Sequence, residues 1–244
     1  MRADTEKIMY TEYLDFVSER VQQIKKTQGT AIREAAALVG ETLIKGHMVY
    51  TFGSGHSQLL AMEIHARAGG LYPVQAIIDP MKGKAEKIEG YGALLVRYAP
   101  YKEGDLIFVI SNSGRNPEPI EVAMDARSKG VKVIVLTSME HTRAVTSRHS
   151  SGKKLYELGE VVLDSLVPAG DASMAYKGMA ARAGALSTVL GATVLIAVVV
   201  EAIQYLLAHK FEPPVLMSAN LDGSEEHNEK VLRRFSNLPN LLDM

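Results

Sequence analysis

The fold class is decided by the stretch Met48-Val49-Tyr50-Thr51-Phe52-Gly53-Ser54-Gly55-His56-Ser57. Its first five residues form a short, largely apolar run, which is typical of a buried strand, and the glycines that follow end this run. The next segment, Gln58 to Ala68, is rich in helix-forming residues. The stretch therefore predicts a strand, a tight turn and a helix, in that order.

Similar apolar runs recur further along the chain, with helical stretches such as Pro117 to Ser128 between them. Strands that alternate with helices favour a parallel sheet, because each connection must cross one face of the sheet. The pattern therefore predicts a doubly wound α/β fold. The further strands are predicted at Val74 to Ile78, Leu106 to Ile110, Val131 to Leu136 and Val161 to Leu163.

Additional helices are predicted before and after this sheet region. Helical periodicity runs from Thr5 to Lys26 and from Thr30 to Lys45, ahead of the first strand. A long apolar helix is expected from Ala185 to His209, and a short charged helix from Glu225 to Phe235. A chain of 244 residues suits one domain. We predict a single domain made of N-terminal helices (1–46), a sheet core (47–172) and a long helix with a C-terminal segment (173–244).

The charge balance of the chain is close to neutral. It has 27 Lys and Arg against 28 Asp and Glu, a net charge of -1, so no overall field attracts nucleic acid or an anionic membrane. The absence of cysteine excludes disulfides, thiol nucleophiles and thiolate zinc sites, and it fits a reducing cytosol. The polar first residues lack the apolar core of a secretion signal. We therefore expect a cytoplasmic protein with no nucleic-acid partner.

One uncharged segment, Ala183 to Val200, is about as long as a short membrane span. Small and hydroxyl-bearing residues interrupt it, among them Gly184, Ser187 and Gly191, and it runs into Glu201. A helix buried between layers or at a subunit interface fits these interruptions better than a membrane span does. We therefore expect no membrane association.

The turn Gly53-Ser54-Gly55-His56-Ser57 is the first candidate binding site. Glycines let the backbone turn tightly and approach a ligand, and the hydroxyls of Ser54 and Ser57 can donate hydrogen bonds to phosphate oxygens. The dinucleotide-binding pattern Gly-x-Gly-x-x-Gly fails, because its last position is Gln58. A tight turn with a serine cap and no ligand is the alternative explanation.

A second turn, Ser111-Asn112-Ser113-Gly114-Arg115-Asn116-Pro117-Glu118, also follows an apolar strand and precedes a helix. Asn116 fits the helix N-cap and Pro117 the first helical position. Turns that follow different parallel strands converge at the crevice where doubly wound folds bind ligands. The two turns together therefore predict one phosphate-binding site.

These two turns resemble the sugar isomerase (SIS) domain family, which has Gly-x-Gly-x-Ser after its first strand and Ser-x-Ser-Gly-x-Thr after a later one. The resemblance implies a three-layer α/β/α sandwich with a five-stranded parallel sheet. It also implies a phosphorylated sugar as ligand and assembly as a homodimer or homotetramer. The likeness spans roughly Gly46 to Ala172 and includes Glu121, Ala126, Lys129, Gly130, residues 133–138 and Val161 to Asp164.

By this resemblance, Ser57, Ser111 and Ser113 bind the phosphate. Asn116 stands where the family often has threonine, and its amide keeps a hydrogen-bond donor. Arg115 either makes a charge-assisted bond to the phosphate or lies in solvent. The full set predicted to bind the phosphosugar is Gly53, Ser54, Gly55, Ser57, Ser111, Asn112, Ser113, Gly114, Arg115, Asn116, Ser187 and Thr188.

An aldose-ketose isomerase needs a carboxylate or an imidazole that moves a proton between neighbouring carbons. Glu63 and His56 are the candidates around the first turn. Phosphoheptose isomerases and muramic acid phosphate etherases resemble this region, but they have an acidic residue where this chain has Arg67. An ion pair between Glu63 and Arg67, four residues apart, is the alternative role for Glu63.

His227 is a third catalytic candidate, by analogy with SIS enzymes in which a C-terminal or neighbouring-subunit histidine assists ring opening. A capped, solvated helix start at Ser224 is the alternative explanation for His227.

The sequence shows no pattern of metal ligands. Glu63 and His65 point to different faces of a helix and so make a poor metal-binding pair, and no His-Glu-x-x-His spacing occurs. We therefore predict no metal and no cofactor.

The leading functional hypothesis is a phosphosugar isomerase similar to phosphoheptose isomerase. One alternative is a non-catalytic phosphosugar sensor, because SIS domains also serve in regulators. Another is a lyase or etherase that acts on an amino-sugar phosphate. A nucleotide-binding enzyme is the least favoured of the four.

Overall fold

The computed structural model of this chain describes residues 8–238. The strands are β1 (Val49–Gly53), β2 (Val74–Ile77), β3 (Leu106–Ile110), β4 (Lys132–Thr137), β5 (Val161–Asp164), β6 (Ala172–Met174) and β7 (Ala183–Ala185). The helices are α1 (Met9–Thr27), α2 (Gly29–Ile44), α3 (Ser57–Glu63), α4 (Tyr91–Leu95), α5 (Pro117–Ser128), α6 (Met139–Ala144), α7 (Ser187–Ala208) and α8 (Ser224–Arg233). A short 3-10 helix covers Leu155–Leu158.

The main sheet has the strand order β2-β1-β3-β4-β5, and its strands are all parallel. β1 lies between β2 and β3, with Val49 opposite both Val74 and Leu106. The chain therefore winds first to one side of β1 and then to the other. This reversal leaves a crevice between the carboxyl ends of β1 and β3.

Two apolar cores lie on the two faces of this sheet. On one face, strand residues such as Phe108 and Leu136 pack with α2 and α7. On the other face, Tyr50 and Val109 pack with α5 and the 3-10 helix. Alternate residues of a strand point to opposite faces, so each strand supplies both cores. The predicted three-layer α/β/α sandwich with a five-stranded parallel sheet is confirmed.

The long apolar helix α7 packs in the first core against α2 and α3. Gly40 of α2 faces the ring of Tyr205, and Gly191 of α7 faces the side chain of Leu60. A Cβ atom at either glycine would overlap its neighbour, so the missing side chains allow these helices to approach closely. Within residues 8–238, α7 is the one helix long and apolar enough to cross a membrane. One of its faces packs in the first core, whereas Val200 and Leu207 on the other side are exposed.

The helix after the first turn is shorter than predicted. α3 ends at Glu63, not at Ala68, because Ala66 and Gly69 have φ values of 40° and 73° that an α-helix cannot contain. The Nδ1 atom of His65 lies 2.7 Å from the carbonyl oxygen of Val74. This contact ties the end of α3 to the start of β2.

Residues 172–185 contain a strand pair that the sequence analysis did not predict. β6 and β7 pair antiparallel, and α7 consequently begins at Ser187 and not at Ala185. Strands of three residues are too short to show a period of alternation in the sequence. At the N-terminus, the predicted helix is found as α1, and Thr5 to Lys7 of that prediction lie outside the described residues.

Candidate functional site

The turns that follow β1 and β3 line one cleft at the carboxyl edge of the sheet. The cleft has a volume of about 360 Å³. It lies at the crevice between β1 and β3, where the winding of the chain reverses. Its lining consists of Ser54, Gly55, His56, Ser57, Lys82, Gly83, Glu86, Ser111, Asn112, Ser113, Asn116, His141, Gly170, Asp171 and Ser187.

The first turn is tight because its glycines allow the backbone to pack against itself. A Cβ atom on Gly53 would lie 2.6 Å from the carbonyl carbon of Ser57, and Gly55 has φ of 57°. The amide of Ser57 donates to the carbonyl oxygen of Ser54 over 3.1 Å. Gly83 of the segment after β2 packs directly on Gly55. Side chains on this turn therefore project into the cleft from a fixed backbone.

Ser54 and Glu86 form a direct hydrogen bond at the edge of the first turn. Ser54 is 7% exposed, and its hydroxyl donates to Oε2 of Glu86 over 2.9 Å. Glu86 itself is half-buried and lines the cleft. A carboxylate therefore lies beside the predicted phosphate-binding turn, brought there by the segment that joins β2 to α4.

The second turn is anchored by its own backbone. Its Gly114 has φ of 58° and donates from its amide to the Ser111 hydroxyl oxygen over 3.2 Å. The Gly114 carbonyl oxygen accepts from the amide of Leu155 over 2.9 Å. The carbonyl oxygen of Asn112 accepts from the amide of Ser138 over 3.0 Å. These bonds fix the turn and leave the half-buried side chains of Asn112 and Ser113 at the cleft.

Asn116 occupies the N-cap position of α5 with Pro117 after it, as the sequence predicts, but its side chain makes no cap hydrogen bond. Its Oδ1 atom accepts from Nη1 of Arg148 over 2.8 Å, which leaves the amide nitrogen as a donor. Arg115 donates from Nε to the carbonyl oxygen of Thr146 over 2.9 Å and is not among the residues that line the cleft. The segment after α6 therefore holds both side chains.

A further part of the cleft lining comes from the segment before α7 and from the first residue of that helix. Asp171, with φ of 69°, accepts hydrogen bonds from the amides of Leu186 and Ser187 over 3.0 and 2.7 Å. Its Oδ2 atom also accepts from the Ser187 hydroxyl over 2.9 Å. Asp171 thereby fixes the start of α7 at the cleft. Thr188, the next residue, is exposed and lies outside the cleft lining.

His141 brings an imidazole to the cleft from α6. Its Nδ1 atom is buried and has no hydrogen-bond partner. Burial lowers the pKa of this histidine, and the nearby charge of Arg115 lowers it further, while Asp171 and Glu140 act in the opposite direction. The ring is therefore neutral near pH 7, and a neutral imidazole can both accept and donate a proton.

The three candidates for catalysis lie in different places. His56 is exposed and lines the cleft. Glu63 forms the ion pair with Arg67 that the sequence analysis gives as its alternative role. It is not part of the cleft lining. The Nε2 atom of His227 lies 2.9 Å from the carbonyl oxygen of Val215, also away from the lining residues. Catalytic roles for these three residues stay predictions.

Several residues of the cleft were missed by the sequence analysis, because they lie in connecting segments that carry no strand-turn-helix signal. Tertiary structure brings them to the crevice, and nothing in the sequence around them indicates this. The missed residues are Lys82, Gly83, Glu86, His141, Gly170 and Asp171.

Within residues 8–238, no group of three His, Asp or Glu side chains has an arrangement that could hold a metal ion.

Comparison with protein families and curated sequences gives consistent matches. A family profile described as SIS domain matches residues 12–138. A UPF0309 protein of Halalkalibacterium halodurans is 40% identical over 235 residues, covering 93% of this chain and 97% of that protein. A UPF0309 protein of Listeria monocytogenes is 39% identical over 224 residues, covering 92% of this chain and 96% of that protein.

Solved structures of low sequence identity share the fold. A phosphoheptose isomerase from Francisella tularensis has a TM-score of 0.56 at 17% identity, covering 80% of this chain and 97% of its own. A structure described as a putative phosphosugar isomerase involved in capsule formation, from Bacteroides fragilis, has a TM-score of 0.55 at 22% identity, with 83% and 91% covered. The Vibrio vulnificus NanR protein, complexed with ManNAc-6P, has a TM-score of 0.52 at 17% identity, with 97% and 72% covered.

Proposed function

This chain belongs to the SIS domain family, and on that premise we propose that it binds a phosphorylated sugar in the cleft and catalyses its aldose-ketose isomerisation. One observation carries the proposal: the hydroxyl-rich turns after β1 and β3 line a single cleft. Hydroxyl groups of Ser57, Ser111 and Ser113 are suitable donors to phosphate oxygens. The structures of a phosphoheptose isomerase and of a protein complexed with ManNAc-6P share this fold.

The size and charge of the cleft fit a sugar phosphate. A volume of about 360 Å³ lies within the range typical of small-molecule sites, roughly 300–1,000 Å³. Among residues 8–238, Lys82 is the only lysine or arginine that lines the cleft. The carboxylate of Asp171 already accepts hydrogen bonds from two backbone amides and one hydroxyl. The phosphate therefore binds between the two turns near Lys82, and the sugar extends toward Glu86 and His141.

Glu86 is the carboxylate best placed to act as the base, because it lines the cleft and Glu63 does not. In this proposal, Glu86 takes the proton from the carbon next to the carbonyl group. The electron pair of that C–H bond forms the enediol double bond, and the carbonyl oxygen takes a proton from His141. Glu86 then returns its proton to the former carbonyl carbon. The neighbouring hydroxyl becomes the new carbonyl as it gives its proton back to His141.

The test is turnover of a panel of phosphorylated aldoses and ketoses of five to seven carbons and their amino derivatives. The experiment compares the wild type with Glu86→Gln and, as a matched control, with Glu63→Gln. The proposal predicts isomerisation of at least one phosphorylated sugar, with loss of turnover in Glu86→Gln and its retention in Glu63→Gln. Binding of panel members without turnover of any of them would overturn the isomerase assignment.

Two other functions use the same site. A phosphosugar sensor is favoured by the shared fold with NanR in complex with ManNAc-6P, and it predicts binding without conversion. A lyase or etherase that acts on an amino-sugar phosphate predicts release of ammonia or of the ether-linked acid. The same assay, with product analysis, separates the three functions.

Assembly as a homodimer or homotetramer and a cytoplasmic location remain part of this proposal. Bulky apolar side chains stay exposed on α1, α3 and α7, namely Leu14, Leu59, Met62, Val200 and Leu207. Self-association would cover such surface and stabilise the assembly. Sedimentation equilibrium tests this proposal, and a monomer at micromolar concentration would contradict it.

A further inference from the structure

Glu118 is a buried carboxyl group directly behind the second turn. It is in the first turn of α5, immediately after Asn116 and Pro117. Its exposure is 0%, and neither of its carboxyl oxygens has a hydrogen-bond partner of regular geometry, although the Ser54 hydroxyl lies close enough to act on it. Its backbone amide donates to the carbonyl oxygen of Glu86 over 3.2 Å. An ionised carboxylate in such a place would be strongly disfavoured.

The groups that act on Glu118 are other carboxylates and one serine hydroxyl. Asp79 and Glu86 raise its pKa, and Glu121 adds a smaller effect in the same direction. Asp79 is fully buried and accepts from the Tyr91 hydroxyl over 2.7 Å and from the amide of Met81 over 2.8 Å. Other titratable groups near this cluster include Tyr91, whose pKa is raised to about 12, and His149, whose Nε2 atom lies 3.7 Å from carboxylate oxygens of both Glu89 and Glu121. Arg148 approaches from the segment after α6, where it donates to Asn116.

Burial is the main reason why the pKa of Glu118 is raised to about 8, and the charges of Asp79 and Glu86 add to it. The Ser54 hydroxyl opposes this rise in part. At pH 7 the Glu118 carboxyl group is therefore mostly protonated. A protonated carboxyl group can donate a hydrogen bond, whereas an ionised one can only accept.

We propose that Glu118 is a positioning residue for the first turn. In its protonated form it leaves the Ser54-Glu86 hydrogen bond intact, and the turn can then bind the phosphate. Loss of the proton breaks this hydrogen bond and weakens phosphate binding. The inference rests on the proposed function, because it concerns the same cleft. Glu118 itself is not part of the cleft lining and acts through Ser54 and Glu86.

The physical reason is repulsion between like charges in a buried place. Ionised Glu118 would add a negative charge close to Asp79 and Glu86, and burial of Glu118 and Asp79 weakens the screening of this repulsion by solvent. Glu86 is only half-buried, so it is the carboxylate that can move away, and this movement would break its bond to Ser54. The added charge would also repel an anion that binds at the first turn. Anion binding therefore favours the protonated form of Glu118.

The experiment measures anion affinity as a function of pH with sulfate as the probe, because sulfate keeps a constant charge across the range used. Dissociation constants are measured by isothermal titration calorimetry at pH 7 and pH 9 for the wild type and Glu118→Gln. Glutamine resembles the protonated carboxyl group in shape and cannot ionise. Glu229→Gln is the control, since Glu229 pairs with Arg233 on exposed α8, away from the cleft.

The wild type and Glu229→Gln are expected to bind sulfate about tenfold more weakly at pH 9 than at pH 7, because only the protonated fraction is competent. For Glu118→Gln the ratio of the two dissociation constants should be close to one. An equal pH dependence in Glu118→Gln, no dependence in the wild type, or no sulfate binding would overturn the inference.

A second measurement does not depend on any ligand. Infrared difference spectra of the wild type between pH 7 and pH 9 should show loss of a protonated carboxyl band, and this band should be missing from Glu118→Gln. A wild-type spectrum without that band would also overturn the inference. Failure of the turnover assay, in contrast, would contradict the isomerase proposal and leave the sulfate and infrared results unaffected.

Discussion

The Ser54 hydroxyl donates a 2.9 Å hydrogen bond to Oε2 of Glu86, and both residues line the cleft. This bond joins the turn after β1 to the segment after β2, and it orients a carboxylate toward the space where a bound sugar would lie. The two residues are 32 positions apart in the chain. Their contact connects the turn proposed to bind the phosphate with the proposed chemistry.

Glu86→Gln should lower the turnover number by about a hundredfold or more, because removal of a general base typically costs 10²- to 10⁴-fold. The amide can still accept from Ser54, so affinity for the phosphosugar should change much less than turnover does. Steady-state kinetics and calorimetry on the same preparation separate the two effects. An equal loss of affinity and of turnover would assign Glu86 to binding and not to proton transfer.

Lys82→Met should weaken binding of phosphorylated sugars by roughly ten- to a hundredfold, since a charge-assisted hydrogen bond contributes about 1.5–3 kcal/mol. Methionine keeps most of the aliphatic chain and removes the charge. Lys84→Met is the matched control, because Lys84 is exposed and is not among the cleft residues. Calorimetry with phosphorylated and plain forms of one sugar is the measurement. Equal effects of the two substitutions would show that Lys82 makes no phosphate contact.

Gly83→Ala should distort the first turn and abolish binding. Its Cβ atom would lie 2.7 Å from both N and Cα of Gly55, and Gly83 has φ of 80°. Gly152→Ala is the control, because Gly152 has φ of 71° and a Cβ atom placed on it would have no heavy atom within 4 Å. Both variants should lose stability through backbone strain of about 1–3 kcal/mol, but only Gly83→Ala should lose binding. Urea unfolding and calorimetry measure the two quantities.

The contribution of Glu118 to the free energy of unfolding should fall as the pH rises from about 4.5 to about 8. Glu118 has a pKa near 8 in the folded chain against an ordinary value of 4.5, so in this range the folded state binds more protons than the unfolded state does. The stabilising contribution of protonated Glu118 is fully present below pH 4.5, and it is lost as the pH rises through 8. One proton corresponds to a slope of up to about 1.4 kcal/mol per pH unit.

Urea unfolding at several pH values tests this expectation with Glu118→Gln and Glu229→Gln. Between pH 4.5 and pH 8, the slope of the free energy of unfolding against pH should be more negative for the wild type than for Glu118→Gln, and Glu229→Gln should keep the wild-type slope. Identical slopes in all three proteins would mean that Glu118 ionises at its ordinary pKa in the folded state.

The five strands of the main sheet and both turns could be predicted from the sequence, because a short apolar run followed by turn residues is a local signal. The end of α3 could not, since the left-handed backbone of Ala66 is imposed by the connection to β2. Glu86, His141 and Asp171 reach the cleft through the tertiary structure, and their neighbours in the sequence give no sign of it. Glu118 has the position of an ordinary acidic residue in the first turn of a helix, and only burial distinguishes it.

The central claim is that the two turns bind the phosphate group of a sugar, and thermal unfolding in the presence of ligands tests it most directly. A ligand that binds only the folded state raises the unfolding temperature. Phosphorylated sugars should raise this temperature for the wild type, their unphosphorylated forms should not, and Ser113→Ala should reduce the shift. Equal shifts with plain and phosphorylated sugars, or no shift with any of them, would contradict the account.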